Sequence, residues 1–320
     1  MSSTSSFFKP KLTLGLLLIA LSVLSLLIGA KEYHLSSLDL SDLWFTLLTS
    51  RFPRLFTLAL CGIGLAMSGI ILQHITHNRF AEPSTTGSMD AAKLGILVSL
   101  STIEADSVLL KLLFAVVFCF VACAIFIVIS QRVILHNPVL IPIIGLMFGS
   151  VLSAIAEFYA YQNNMMQDMQ NWLVGDFSKV VQGHYEAIYL LIPTIIIITF
   201  FTRHFTLLNL GKDVATSLGL RYKAITILGL VLVSCMVSIS VVIVGAIPFV
   251  GLVIPNIVAI KYGDNLSNTL SINALGGAVF TIFCDLMSRL LVYPLEIPIG
   301  LTAGFTGGVV FIFLILRTYK

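Results

Sequence analysis

Ten apolar runs divide this chain, at about residues 12–30, 54–73, 87–102, 108–130, 138–159, 187–202, 224–244, 246–260, 271–290 and 299–316. Half of them hold no charged residue. Roughly 20 apolar residues cross the hydrocarbon of a bilayer as a helix. In lipid every backbone polar group must find a partner inside the protein, which leaves helices or closed barrels. A barrel strand alternates apolar and polar residues, and these runs do not. The fold class expected is therefore an all-α polytopic membrane protein with about ten transmembrane helices. Charged residues make up 10% of the chain, against roughly 25% in a soluble domain. No linker, repeat or soluble stretch interrupts the pattern, so residues 1–320 read as a single transmembrane domain. The first run follows Lys9 and Lys11 as in a secretion signal, but it is long enough to span and reads as an uncleaved first helix.

Ten crossings place both ends on one side, and charge says which. With the N-terminus inside, the inner loops and tails hold eleven basic residues, among them Arg79, Arg132, Arg203, Lys212, Arg221, Lys223 and Lys261; the outer side holds six. That bias predicts cytoplasmic termini. The net charge of +3 is spread over many loops, which argues against nucleic acid and leaves membrane lipid as the surrounding partner. Of the two long outer segments, residues 31–50 carry Leu38, Leu40, Leu43, Trp44 and Leu47 and read as a short amphipathic helix at the interface. Residues 160–186 carry Tyr161, Trp172 and Tyr185, which suit the headgroup layer.

The stretch from Arg51 to Thr86 is read as the organising element. Arg51 and Arg54 flank Pro53, and an apolar helix follows from about Leu55 to Gln73. Ala59, Gly62, Ala66 and Gly69 recur on one face, where a neighbouring helix can approach closely. A polar loop with Asn78, Arg79, Glu82 and Pro83 comes next. The eighth run carries Pro248 and Pro255, and proline removes a backbone donor, so a short or broken helix is expected there.

Charges inside the membrane are costly and mark candidate sites. Asp90 and Lys93, three apart, can pair on one helix face, as can Asp285 and Arg289, four apart. Glu157 sits near a helix end. No chain of acids suggests a proton relay. His74 and His77 lack further metal ligands, and Cys119 and Cys123, which share a face, lack a nearby His or acid, so neither a metal site nor a cofactor is expected. All five cysteines lie in apolar runs, against a disulfide framework. Gly211-Lys212 is followed by Asp213 rather than Ser or Thr, so it is no phosphate loop. No catalytic residue stands out. The long inner loop, residues 203–223, reads instead as a small amphipathic helix around Val214 and Leu218 closed by Gly219, suited to docking a partner.

These features converge on one family. Arg51-Phe52-Pro53-Arg54, Gly69…Gln73…Asn78…Ala81-Glu82-Pro83, Gly211…Ser217-Leu218-Gly219, Gly245…Pro248-Phe249-Val250-Gly251-Leu252-Val253-Ile254-Pro255, Asp285…Arg289 and Glu296-Ile297-Pro298-Ile299-Gly300 together resemble the FecCD/BtuC-type permease subunits of bacterial type II ABC importers. Those permeases serve iron–siderophore complexes, haem and vitamin B12. The run from Pro83 to Asp90 resembles the subgroup for catecholate-type or mixed siderophores. The resemblance covers nearly the whole chain. It departs at Asn256, where many relatives carry His, and at Lys93, where a small residue is expected.

What the resemblance implies is a permease without ATPase activity of its own, moving ferric siderophore across the bacterial inner membrane. Vitamin B12 or haem is the alternative cargo, and an ion-coupled secondary carrier the alternative class. Partners would be ATP-binding cassette subunits, a substrate-binding protein and a second permease, in a heterodimer rather than a homodimer. Arg51, Arg54 and Arg289 would receive the binding protein. Gly211, Lys212, Asp213, Val214, Ala215, Ser217, Leu218, Gly219 and Arg221 would couple to the ATPase. Asn137, Pro138, Pro142, Asp90 and Lys93 are candidates for the gate and pathway.

Overall fold

A computed structural model of the protein describes residues 4–28, 44–102, 107–134 and 140–318. Its helices are α1 (Thr4–Leu27), α2 (Phe52–Thr76), α3 (Ser88–Thr102), α4 (Val108–Ile134), α5 (Leu140–Gln162), α6 (Met166–Leu173), α7 (Leu191–Leu208), α8 (Lys212–Ser217), α9 (Tyr222–Val244), α10 (Val250–Tyr262), α11 (Leu266–Leu290) and α12 (Ile299–Thr318). Among the described residues each apolar run holds a helix, and no strand occurs. Eight helical stretches among those residues are long and apolar enough to cross a membrane. The third and eighth runs are not. At 1.5 Å per residue, α3 with 15 residues and α10 with 13 reach about 20 Å of a core near 30 Å thick.

The bundle is built around α2. It packs against α11, α9, α10 and α7, and 72% of its spanning window is buried against 6% for α1, so α2 is core and α1 is periphery. The small residues explain the closeness. A Cβ on Gly62 would overlap the Gly277 carbonyl of α11, and one on Gly69 would overlap Gly251 of α10. Without a hydrophobic driving force between helices in lipid, such close backbone approach is what holds them together. A second, smaller cluster of Leu94, Leu97, Ala156, Ala160 and Met169 joins α3, α5 and α6.

Two prolines shape this core through the carbonyls they leave free. Pro53 has no N–H to return to Thr49, and the backbone there opens into a wider turn over Leu47–Arg51. The Thr49 carbonyl instead accepts the Gln182 N–H at 2.9 Å. Pro255, inside α10, likewise frees the Gly251 carbonyl, which accepts Gln73 Nε2 from α2 at 3.3 Å.

The outer segment 31–50 differs from expectation where it can be seen. Residues 29–43 lie outside the described residues. From Trp44 the chain is already helical and runs through the wide turn into α2, as one stretch from Trp44 to Thr76. In segment 160–186 the helix α6 forms; the Trp172 side chain lies outside the described residues.

Between α9 and α10 the helix breaks, as the prolines and glycines predict. Gly245 has φ +88° and Phe249 φ +67°. The freed backbone is taken up by the preceding segment, with Gly175 N–H donating to Ala246 O at 2.9 Å and Asp176 N–H to Val244 O at 2.7 Å.

Candidate functional site

At the start of α2 three arginines meet two carboxylates. Asp285 on α11 is fully buried. Its Oδ1 accepts Arg54 Nη2 at 2.7 Å and Nε at 3.1 Å, and its Oδ2 faces Arg289 Nη2 at 2.6 Å. Arg54 Nη1 also donates to Glu296 Oε2 at 2.9 Å. The remaining donors close the end of α1. Arg289 Nη1 reaches Ser25 O at 3.1 Å and Ile28 O at 2.6 Å, while Arg51 Nη1 bonds the carbonyls of Leu26 and Leu27. The last carbonyls of a helix have no partner within it and carry partial negative charge, so two guanidiniums complete them. The i,i+4 pair of Asp285 and Arg289 is as the sequence predicts. Its third member, Arg54, was not legible, because it comes from a helix 231 positions away.

The opposite end of α2 carries a second assembly. His77 closes the helix with φ +49°, and the loop from Asn78 folds back onto α10. Asn256 Nδ2 donates to Arg79 O at 2.8 Å and to Leu252 O at 2.7 Å. The departure at Asn256 thus has a definite role, tying the loop to α10. Arg79 pairs with Asp264 at 2.8 Å. Glu82 is buried, its Oε1 accepting the N–H of Phe249 at 3.2 Å and the hydroxyl of Ser84. Burial pushes the Glu82 carboxyl up to about 7, since losing water penalises the charged form. Its bond holds Phe249 in the left-handed conformation that opens α10, a region a bulky residue rarely occupies. The sequence marked Glu82 as part of the polar loop and of the Ala81-Glu82-Pro83 stretch, but not its partner Phe249, 167 positions away.

His74 and His77 go to separate partners, Phe205 O at 3.1 Å and Tyr222 Oη at 3.4 Å. Among the described residues no three His, Cys, Asp or Glu side chains gather as a metal site would require. Asp90 and Lys93 pair at 3.1 Å, as their spacing predicts, with Asp90 Oδ2 beside Gly149 of α5. Thr85 abuts Gly145 near the start of α5, and Pro142 sits half-buried in its first turn. Asn137 and Pro138 lie outside the described residues.

On the same side as His77, α8 projects between α7 and α9. Gly211 (φ +90°) starts it and Gly219 (φ +85°) ends it. The Leu220 N–H returns to Ala215 O at 3.0 Å and the Gly219 N–H to Thr216 O at 2.9 Å. This is the glycine-ended helix stop in which flanking apolar residues meet, and Ala215 and Leu220 are both buried. Val214 and Leu218 point the other way, 51% and 60% exposed. Lys212, Asp213, Ser217 and Arg221 are exposed around them. The short helix predicted from the sequence is present, with an apolar pair facing outward.

A bundle of membrane-length helices, with a buried arginine–carboxylate cluster at one end and an outward-facing apolar pair on a short helix at the other, has the architecture of a multi-pass transport permease. The chain belongs to the FecCD transport family, whose profile it matches over residues 12–317. It is 54% identical over 298 residues to the ferric-anguibactin transport system permease protein of Vibrio anguillarum, covering 92% of this chain and 95% of that one. It is 44% identical to the petrobactin import system permease protein of Bacillus subtilis, covering 95% and 97%. Among solved structures it is similar to a metal-chelate type ABC transporter in an inward-facing conformation, with 25% identity, a TM-score of 0.81 and coverage of 97% and 99%.

Proposed function

We propose that this chain is the membrane-spanning subunit of an ATP-driven importer that carries ferric siderophore into the bacterial cytoplasm. The observation that carries the reading is the near full-length identity to permeases for ferric anguibactin and for petrobactin. The first of these is, by its name, a permease for a ferric chelate. A chelate arrives with its metal already coordinated, so the pathway needs no metal ligands of its own. Haem or vitamin B12 remains the alternative cargo.

In this reading both termini face the cytoplasm, following the charge bias. The α8 knob docks the ATPase subunits through Val214 and Leu218, with Gly211, Lys212, Asp213, Ala215, Ser217, Gly219 and Arg221 shaping and flanking it. At the other end the binding protein lands on the surface around Arg51 and Arg54. Guanidinium groups suit carboxylates on such a partner because they keep their charge and bond in a fork. Arg289 contributes by holding Asp285 and the end of α1, which fixes the surface from beneath. The pathway runs past Asp90, Lys93 and Pro142 on α3 and α5, with Asn137 and Pro138 at its gate. The second permease is a related but different chain, giving a pseudo-symmetric pair.

The test is transport by the assembled complex in proteoliposomes, with ATPase subunits inside and loaded binding protein outside. ATP-dependent accumulation of a ferric siderophore, and none of haem or vitamin B12, is the expected result. Accumulation driven by an ion gradient with this chain alone would overturn the reading.

A further inference from the structure

A groove of about 610 Å³ lies between α1 on one side and α10 and α11 on the other. Leu14 and Leu21 of α1 and Ile272 and Phe283 of α11 wall it, and Lys261 and Tyr262 stand at one end. The walls, Pro10 to Leu21 and Ile272 to Phe283, each rise about 16 Å at 1.5 Å per residue. That is half of a hydrocarbon core near 30 Å thick, the depth of one leaflet. The Phe7 and Tyr262 rings, 6.1 Å apart, fix the first turns of α1 beside the end of α10, so the groove opens at the polar edge of the bundle. Lys261 is exposed there, with no carboxylate partner among the described residues, and Lys9 is exposed on α1 at the same level. No acidic residue lines the groove. The pattern is an apolar slot one leaflet deep with a cationic rim at its water-facing end.

We propose that this groove holds one acyl chain of an anionic phospholipid, whose net negative headgroup pairs with Lys261, whereas a zwitterionic headgroup brings its own cation to the phosphate and gains less. Because Lys261 lies on the side read above as cytoplasmic, the lipid belongs to the inner leaflet, and this placement rests on that orientation. The apolar walls accept any acyl chain; the choice of headgroup comes from Lys261. The bound chain fills the space beside α1, which otherwise touches the bundle along little of its surface.

The test is native mass spectrometry of the permease complex released from nanodiscs of mixed phosphatidylglycerol and phosphatidylcholine. One retained phosphatidylglycerol per copy is expected. Lys261→Gln should lower its preference over phosphatidylcholine by about fivefold, the effect of one basic side chain at an anionic surface, and Lys261→Arg should restore it. Val279→Trp, which fills the groove from α11 without touching Lys261, should remove bound lipid of either headgroup. Equal retention of the two lipids by the unaltered protein, or unchanged preference in Lys261→Gln, would overturn the proposal. Orientation is read separately, by labelling Lys261→Cys with an impermeant maleimide in intact cells. Labelling from outside would overturn the leaflet while leaving the lipid site standing.

Discussion

Replacing Asp285 with Asn strands a buried cation. Arg289 is 6% exposed, and its guanidinium faces the Asp285 carboxylate at 2.6 Å. Removing one member of a buried ion pair typically costs about 3–5 kcal/mol, because the other charge stays desolvated. Here the α1 carbonyls remain as acceptors for Arg289, which places the loss near ~3 kcal/mol, the low end of that range. Arg54 adds little, since it keeps Glu296 at 2.9 Å. A loss of ~3 kcal/mol lowers the ratio of folded to unfolded protein by roughly a hundredfold. The assay is unfolding in lipid-supplemented detergent of Asp285→Asn, Arg289→Met and the double variant. Met in place of Arg289 removes the stranded charge, so the double variant should be more stable than the sum of the single losses, by about 2 kcal/mol of coupling. Additive losses, or an Asp285→Asn variant within ~1 kcal/mol of the unaltered protein, would refute the reasoning.

Changing both Val214 and Leu218 to Asp should detach the ATPase subunits in a pull-down while the permease stays folded, because both side chains are already exposed; full recovery of the ATPases would remove α8 from the docking role. Arg51→Glu should weaken binding-protein docking at least tenfold by surface plasmon resonance, with thermal unfolding as the control because Arg51 also bonds the last carbonyls of α1; Arg54→Glu is the poorer probe, since it sets a carboxylate against Asp285. Glu82 should make stability depend on pH. Its carboxyl rises from an ordinary 4.5 to about 7, so between those values the folded protein holds a proton that the unfolded chain releases. Stability should therefore fall as pH rises from about 4.5 to 7 and level off above, by on the order of 3 kcal/mol. Glu82→Gln keeps an oxygen for the Phe249 N–H and should flatten that profile in thermal unfolding; an unchanged slope would clear Glu82 of the effect.

Much of the fold was legible because the bilayer imposes one rule on every segment. Length and apolarity alone placed the helices, including the two short ones, and the prolines placed the break before α10. The pairs Asp90–Lys93 and Asp285–Arg289 were legible for the same reason that α8 was, since all are contacts within one or two turns. What escaped depends on which helix lies beside which. Arg54 reaches Asp285, Asn256 reaches Arg79 O, and Glu82 reaches the Phe249 backbone, each across more than 150 positions of chain. The carbonyls freed by Pro53 and Pro255 show the same limit. The vacancy at Thr49 and at Gly251 follows from the proline, but Gln182 and Gln73 as the groups that fill them do not.

A helix of six residues would not persist by itself in water. In this protein α8 does, because a glycine turn closes each end and Ala215 is seated between α7 and α9. In the proposed docking role, an ATPase subunit that grips Val214 and Leu218 would meet a handle that is already folded and would lose little free energy to setting its shape. In that proposed role, force applied there would pass into α7 and α9, so the six-residue segment would serve as the short arm of a lever whose long arms cross the bilayer.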